Sequence, residues 1–82
     1  MSTEARVRKF IVDQFLFGQG ADKLGLKDSL LQKGVIDSTG VLEVTSFLEA
    51  QFGIDVEDHD LVPANFDSIE RIVSFVERKK AA

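Results

Sequence analysis

The chain has no cysteine, which removes a disulfide framework, thiol nucleophiles and thiolate metal sites together. It has a single histidine, His59, too little for a histidine metal site or a conventional catalytic triad. It has no long apolar run: the longest are Phe10-Ile11-Val12 and Phe15-Leu16-Phe17, so no segment can span a bilayer. Its N-terminus, MSTEARVRKF, lacks the apolar stretch of a signal peptide. It also lacks a basic stripe: 10 Lys+Arg against 14 Asp+Glu leave a formal charge of −4, which argues against nucleic acid as a partner. What is present is 82 residues, 44% of them apolar, enough for one core and too few for two. A single domain over 1–82 is expected: cytoplasmic, monomeric, without membrane or nucleic-acid partners, and non-enzymatic.

Positive charge is missing locally as well. From Gly34 through Glu70 there is no Lys or Arg, but there are nine acids, among them Asp37, Glu43, Glu49 and the run Asp55 to Asp60. Such a stretch either keeps the domain soluble or steers it toward basic partner proteins.

Helical periodicity dominates. Val7, Phe10, Ile11 and Phe15 form one stripe of an amphipathic helix over about 3–17, with Thr3 as its expected N-cap and Gly18 and Gly20 as its stop. Residues 18–37 hold four glycines, yet Leu24, Leu26, Leu30, Leu31, Val35 and Ile36 run through them. A loop that apolar is pinned to a core, with a short turn of helix expected near Ser29-Leu30-Leu31. A second helix is expected over about 38–52, with Val41, Val44, Thr45, Leu48 and Phe52 inward and Thr39, Glu43, Ser46 and Ala50 outward. Leu42 and Phe47 flank the outward face and exceed what solvent needs. Gly40 costs this helix about 1 kcal/mol in propensity against Ala. An acidic loop follows over 53–64. Asn65 is expected to cap a last helix over about 66–80, whose Ile69, Ile72, Val73 and Val76 make its stripe. The sum is an all-α fold, a small antiparallel four-helix bundle of three principal helices and a short one, with a long ordered first loop.

One position offers chemistry. Ser38 follows an acid and opens an amphipathic helix after an apolar, glycine-broken loop. Unpaired N–H groups and the helix dipole at such a point suit a serine-linked phosphodiester. The plainer reading is that Ser38 or Asp37 is only an N-cap, in which case Ser38→Ala costs at most about 1–2 kcal/mol. For metal, an EF-hand register begun at Asp55 puts Asp60 where glycine is needed and Phe66 where the bidentate Glu belongs, so it fails. His59 reads as a solvated loop residue, no metal site is expected, and a hydrolase built on Ser38 and His59 has nothing else to support it.

Taken together, Ser29-Leu30, Gly34-Val35-Ile36-Asp37-Ser38, Phe47-Leu48-Glu49, Phe52-Gly53-Ile54 and Asn65-Phe66-Asp67-Ser68-Ile69 resemble the acyl and peptidyl carrier protein family, over nearly the whole chain. The resemblance implies a 4′-phosphopantetheine arm on Ser38, with Asp37 as the adjacent motif residue. The arm comes from coenzyme A through a phosphopantetheinyl transferase and holds acyl or aminoacyl cargo as thioesters. Other implied partners are an acyl or aminoacyl ligase and downstream transferases with basic docking patches. These would meet Thr39, Leu42, Glu43, Ser46, Phe47 and Glu49, together with the Asp55–Asp60 loop.

The chain departs from the commonest family pattern where Thr39-Gly40, not Leu, follows Asp-Ser. Ala50 and Gln51 also stand where carriers of bulk fatty-acid synthesis tend to have acids. The Asn-Phe-Asp-Ser-Ile segment looks more like free-standing aminoacyl, D-alanyl or peptidyl-type carriers of specialised pathways. With phenylalanines mostly in the core by spacing, a small or polar cargo is expected. The competing function is an unmodified acidic interaction module, a degenerate carrier.

Overall fold

The computed structural model describes residues 2–81; Met1 and Ala82, the two ends of the expected 1–82 span, lie outside the described residues. Among the described residues the chain is all helical, a small bundle of four helices without strands: α1 (Thr3–Phe15), α2 (Ser38–Phe52), α3 (Pro63–Phe66) and α4 (Ile69–Ala81). α4 packs against α1, α2 and α3. Their shared core holds Ile11, Leu30, Val44, Leu48, Phe66, Ile69, Ile72 and Val76, all at most 1% exposed.

The ends of α1 differ from the expected ones. Ser2, not Thr3, caps it, because the Ser2 hydroxyl accepts the Ala5 N–H at 3.1 Å while Thr3 is already helical. The helix stops at Phe15, because the N–H groups of Leu16 and Gly18 both close on the Val12 carbonyl, at 3.0 and 2.9 Å. That closure turns Phe17 to φ 56°, a region bulky residues rarely occupy, and leaves its ring 86% exposed. Phe17 is therefore not a core residue.

The long first loop is ordered by distant side chains. Its helical piece is a 3₁₀ turn at Ala21–Lys23, not at Ser29-Leu30-Leu31. Residues 29–35 instead form a hydrogen-bonded turn hung on Asp67. The Asp67 carboxylate accepts the Ser29 hydroxyl at 2.8 Å and the Leu31 N–H at 3.2 Å, and its carbonyl accepts the Leu30 N–H at 2.7 Å. That anchor buries Leu30 completely, which is why so apolar a loop stays on the core.

The expected cap of the last helix also moves. Asn65 lies inside α3, which Pro63 starts at its first position, where a missing N–H costs nothing. Its amide donates to the Asp60 carbonyl at 2.8 Å and accepts from Arg78 at 2.8 Å, so it ties the loop to α4. Ser68 does the capping: its hydroxyl accepts the Arg71 N–H at 3.1 Å, and α4 begins one residue later.

Candidate functional site

α2 positions the site, and its first turn shows how. Asp37 is the N-cap: in extended backbone (φ −119°, ψ −170°) its carboxylate accepts the Gly40 N–H at 2.7 Å. Ser38 is therefore the first helical residue and not the cap. Its hydroxyl is exposed and makes no hydrogen bond to another described residue. In this first turn the Ser38 and Thr39 N–H groups have no partner among the described residues, and the positive end of a 15-residue helix favours an anion there. Gly40 is buried beneath it. A Cβ at Gly40 would meet the Phe15 ring at 3.1 Å and Ile36 at 3.3 Å, so the glycine lets α1 and the loop close under the serine.

Beside Ser38 lies a cleft of about 260 Å³, walled by Leu31, Val41, Leu42, Leu61, Val62, Pro63 and Phe66. Ser38 is its one polar lining residue. Three wall residues keep much of their surface open to solvent: Leu42 at 55%, Val62 at 42% and Leu61 at 38%. Leu61 and Val62 were missed as site residues in the sequence. The signal was an apolar pair before a proline, inside the segment 53–64 read only as an acidic loop.

The remaining residues expected to meet partners divide. Thr39, Glu43 and Ser46 are exposed on the outer face of α2, and they border an open groove with Leu42, Phe10, Gln14 and Phe47. Phe47 is half-buried, its ring stacked on Phe10 at 4.0 Å with 14° between planes, and edge-on to Phe52 at 6.2 Å. Glu49 is exposed but engaged: its carboxylate accepts the Val56 N–H at 3.1 Å and holds the acidic loop to the end of α2.

The acidic loop turns one of its four acids inward. Asp60 is buried and meets the Lys79 ammonium at 2.7 Å, while Glu57 lies 3.9 Å from the same ammonium. The Lys79 hydrogen bond, then the Glu57 backbone N–H, hold the Asp60 carboxyl below its ordinary range, and Asp60 in turn raises Lys79. His59 is exposed, yet not merely solvated, since its Nε2 lies 3.4 Å from Glu57 and 3.5 Å from Asp60. Glu57, His59 and Asp60 bring potential ligand atoms within 4.8 Å of one another, but the cation that the described residues supply to them is Lys79. Asp55 and Asp58 are the loop acids that make no ion pair with a described residue.

No helix among the described residues is long and apolar enough to cross a membrane. No protein-family model matches the chain. Among curated proteins, it is 28% identical over 78 residues to the probable acyl carrier protein PigG of Serratia sp. (strain ATCC 39006), spanning 95% of this chain and 88% of that relative.

Proposed function

We propose that this chain, an acyl carrier family protein, bears a 4′-phosphopantetheine arm on Ser38 and shuttles acyl or aminoacyl intermediates between partner enzymes without catalysing their chemistry. The observation that carries the reading is the division of labour in the first turn of α2. Asp37 takes the capping bond, so the neighbouring hydroxyl stays free and exposed at a helix N-terminus, beside an apolar cleft.

The residues present fit the group. Ser38 Oγ is the acceptor: it bonds to the pantetheinyl phosphorus of coenzyme A, the pyrophosphate linkage breaks, and adenosine 3′,5′-bisphosphate leaves. The hydroxyl proton passes to a base of the transferase. The free N–H groups and the dipole at the start of α2 would favour the charge of the resulting phosphodiester. When bound, the arm supplies the thiol that a chain without cysteine lacks, and holds cargo as a thioester.

Partners would dock on exposed Leu42, flanked by Thr39, Glu43 and Ser46, with Phe47 as the half-buried base of that surface. We expect them to be a phosphopantetheinyl transferase, an acyl or aminoacyl ligase and downstream transferases, with basic groups opposite Glu43. Glu49 contributes through the loop it holds. The aromatic content of the core favours a small or polar cargo and a specialised, cytoplasmic pathway over bulk fatty-acid synthesis.

Intact-protein mass spectrometry after incubation with coenzyme A and a broad-specificity transferase tests this. The wild type should gain one phosphopantetheinyl group and Ser38→Ala none. No gain with several transferases would favour the unmodified interaction module, whose docking face would be the same exposed leucine and its neighbours.

A further inference from the structure

Two clefts flank the start of α2, and Leu42 is the ridge between them, lining both. The first is the small apolar cleft of about 260 Å³ beside Ser38. The second is a groove between α1 and α2, made of two stretches of about 560 and 450 Å³ that share Phe10, Gln14 and Phe47. α1 and α2 run antiparallel along it: Gln14 borders Thr39 and Ser46 at one end, and Arg6 borders Gln51 at the other.

We propose that the arm on Ser38, when no partner holds it, folds over Leu42 and lies along this α1/α2 groove. This inference rests on Ser38 being the attachment point.

Chemistry argues for the groove first. Between its phosphate and its thiol, pantetheine carries two amides, a hydroxyl and a pair of geminal methyl groups. In the apolar cleft, those polar groups would meet no side chain but Ser38 itself able to hydrogen-bond, and burying them unpaired is costly. Along the groove stand Gln14, Thr39, Ser46 and Gln51, each exposed and making no side-chain hydrogen bond to another described residue. These neutral amides and hydroxyls can hydrogen-bond such an arm, beside the charged lining residues Glu43, Arg6 and the Lys9–Asp13 ion pair. The floor suits the geminal methyls: Phe10 and Phe47 stack at 4.0 Å into one half-buried apolar surface.

Length argues for it second. From Thr39 to Gln51 the helix rises about 18 Å at 1.5 Å per residue. The arm has roughly thirteen bonds from phosphorus to sulfur, about 16 Å when extended at backbone-like bond lengths. At about 16 Å against about 18 Å, with part of its length spent crossing Leu42, the arm would end over the Phe10 and Phe47 rings, short of Arg6 and Gln51. One consequence follows for delivery: a partner that seats on Leu42, Ser46 and Phe47 must lift the arm out, so docking and release of the thiol become one event.

The test compares apo protein with protein loaded from coenzyme A, loading first being verified by intact mass. In isotope-labelled protein, the side-chain amide of Gln14 and the backbone amide of Ser46 should shift on loading. The arm's geminal methyls should give nuclear Overhauser contacts to the Phe10 and Phe47 rings. Ser46→Arg, an exposed substitution that fills the groove, should lose those ring contacts with an unchanged helical circular-dichroism spectrum. Shifts centred on Leu61, Val62 and Phe66 would overturn the inference in favour of the apolar cleft. Shifts confined to residues 37–40 would overturn it in favour of a solvated arm. A protein that gains no mass fails at the premise, and the mass spectrum separates that failure from an arm that is attached but lies elsewhere.

Discussion

The start of α2 and the loop leading into α3 are both polar and both acidic, yet they spend their side chains in opposite ways. In the loop region, Asp60 is bound to Lys79, Asn65 to Arg78 and the Asp60 carbonyl, and Glu49 to the Val56 N–H. At the start of α2 one capping bond from Asp37 is made, and Ser38, Thr39, Glu43 and Ser46 make none that involves their side chains. Net charge does not distinguish these regions. What does is whether each group already has a partner inside the molecule, because a group that is satisfied internally must be desolvated and unpaired before it can serve an outside one. The free side chains at the start of α2 therefore stay available to an outside partner, while the bound ones around Asp60 and Asn65 form the frame.

The frame can be broken most severely at Asp67. Its half-buried carboxylate takes the Ser29 hydroxyl and the Leu31 N–H, the bonds that pin the first loop to the core. Asp67→Ala leaves both donors without that acceptor and should cost about 2–3 kcal/mol in denaturant unfolding. Ser38 sits at the end of that loop, so attachment by the transferase should slow as well. Unchanged stability would mean that the loop is held by burial of Leu30 and by the backbone bond from its N–H to the Asp67 carbonyl.

A smaller loss is expected from Lys79→Met, which keeps the stem that lies over Phe75, 5.7 Å from ammonium to ring centre, and removes the charge. The sign of its pH dependence follows from the two shifts. Asp60 is lowered, so its contribution is present above the ordinary carboxyl value of 3.8 and is lost as pH falls through its lower folded value. Lys79 is raised, so its contribution is present below its ordinary 10.5 and is lost as pH rises beyond it. The Tm gap between wild type and Lys79→Met should be widest at neutral pH and close at both extremes. Glu57 at 3.9 Å and Asp55 act on the same ammonium, and a gap that stays constant down to strong acid would show that no carboxylate pairing separates the two variants.

How much of this was legible in the sequence depends on distance along the chain. The stripes of α1, α2 and α4 repeat within a few residues, so side chains such as Val7, Ile11, Val44, Leu48, Ile72 and Val76 could be assigned to the core from spacing alone. The Asp37-Ser38 helix start was equally local. What was lost is non-local. Ser29 meets Asp67 across 38 positions, and no pattern in either neighbourhood announces the other. Asn65 read as a cap because capping residues before an apolar run usually are caps. Pro63 had already started a helix there, and Ser68 took the role three residues later. Phe17 is the exception among phenylalanines assigned mostly to the core by spacing, because convergence of two N–H groups on Val12 turns it outward.

The finest contrast is between two adjacent residues, Asp37 and Ser38, which the sequence leaves as interchangeable candidates for the cap. Asp37→Ala removes the bond to the Gly40 N–H and should lower stability by about 1 kcal/mol, as loss of a good N-cap does. Ser38→Ala removes an exposed hydroxyl with no partner among the described residues and should change stability by less than about 0.5 kcal/mol. Function should invert that order. Asp37→Ala should still accept a phosphopantetheinyl group, more slowly because the first turn is less well set, whereas Ser38→Ala should accept none. Parallel urea melts and intact masses of the two variants read both axes at once. Equal losses of stability would mean that the serine shares the capping bond, and its hydroxyl would then be part of the frame and no longer free for chemistry.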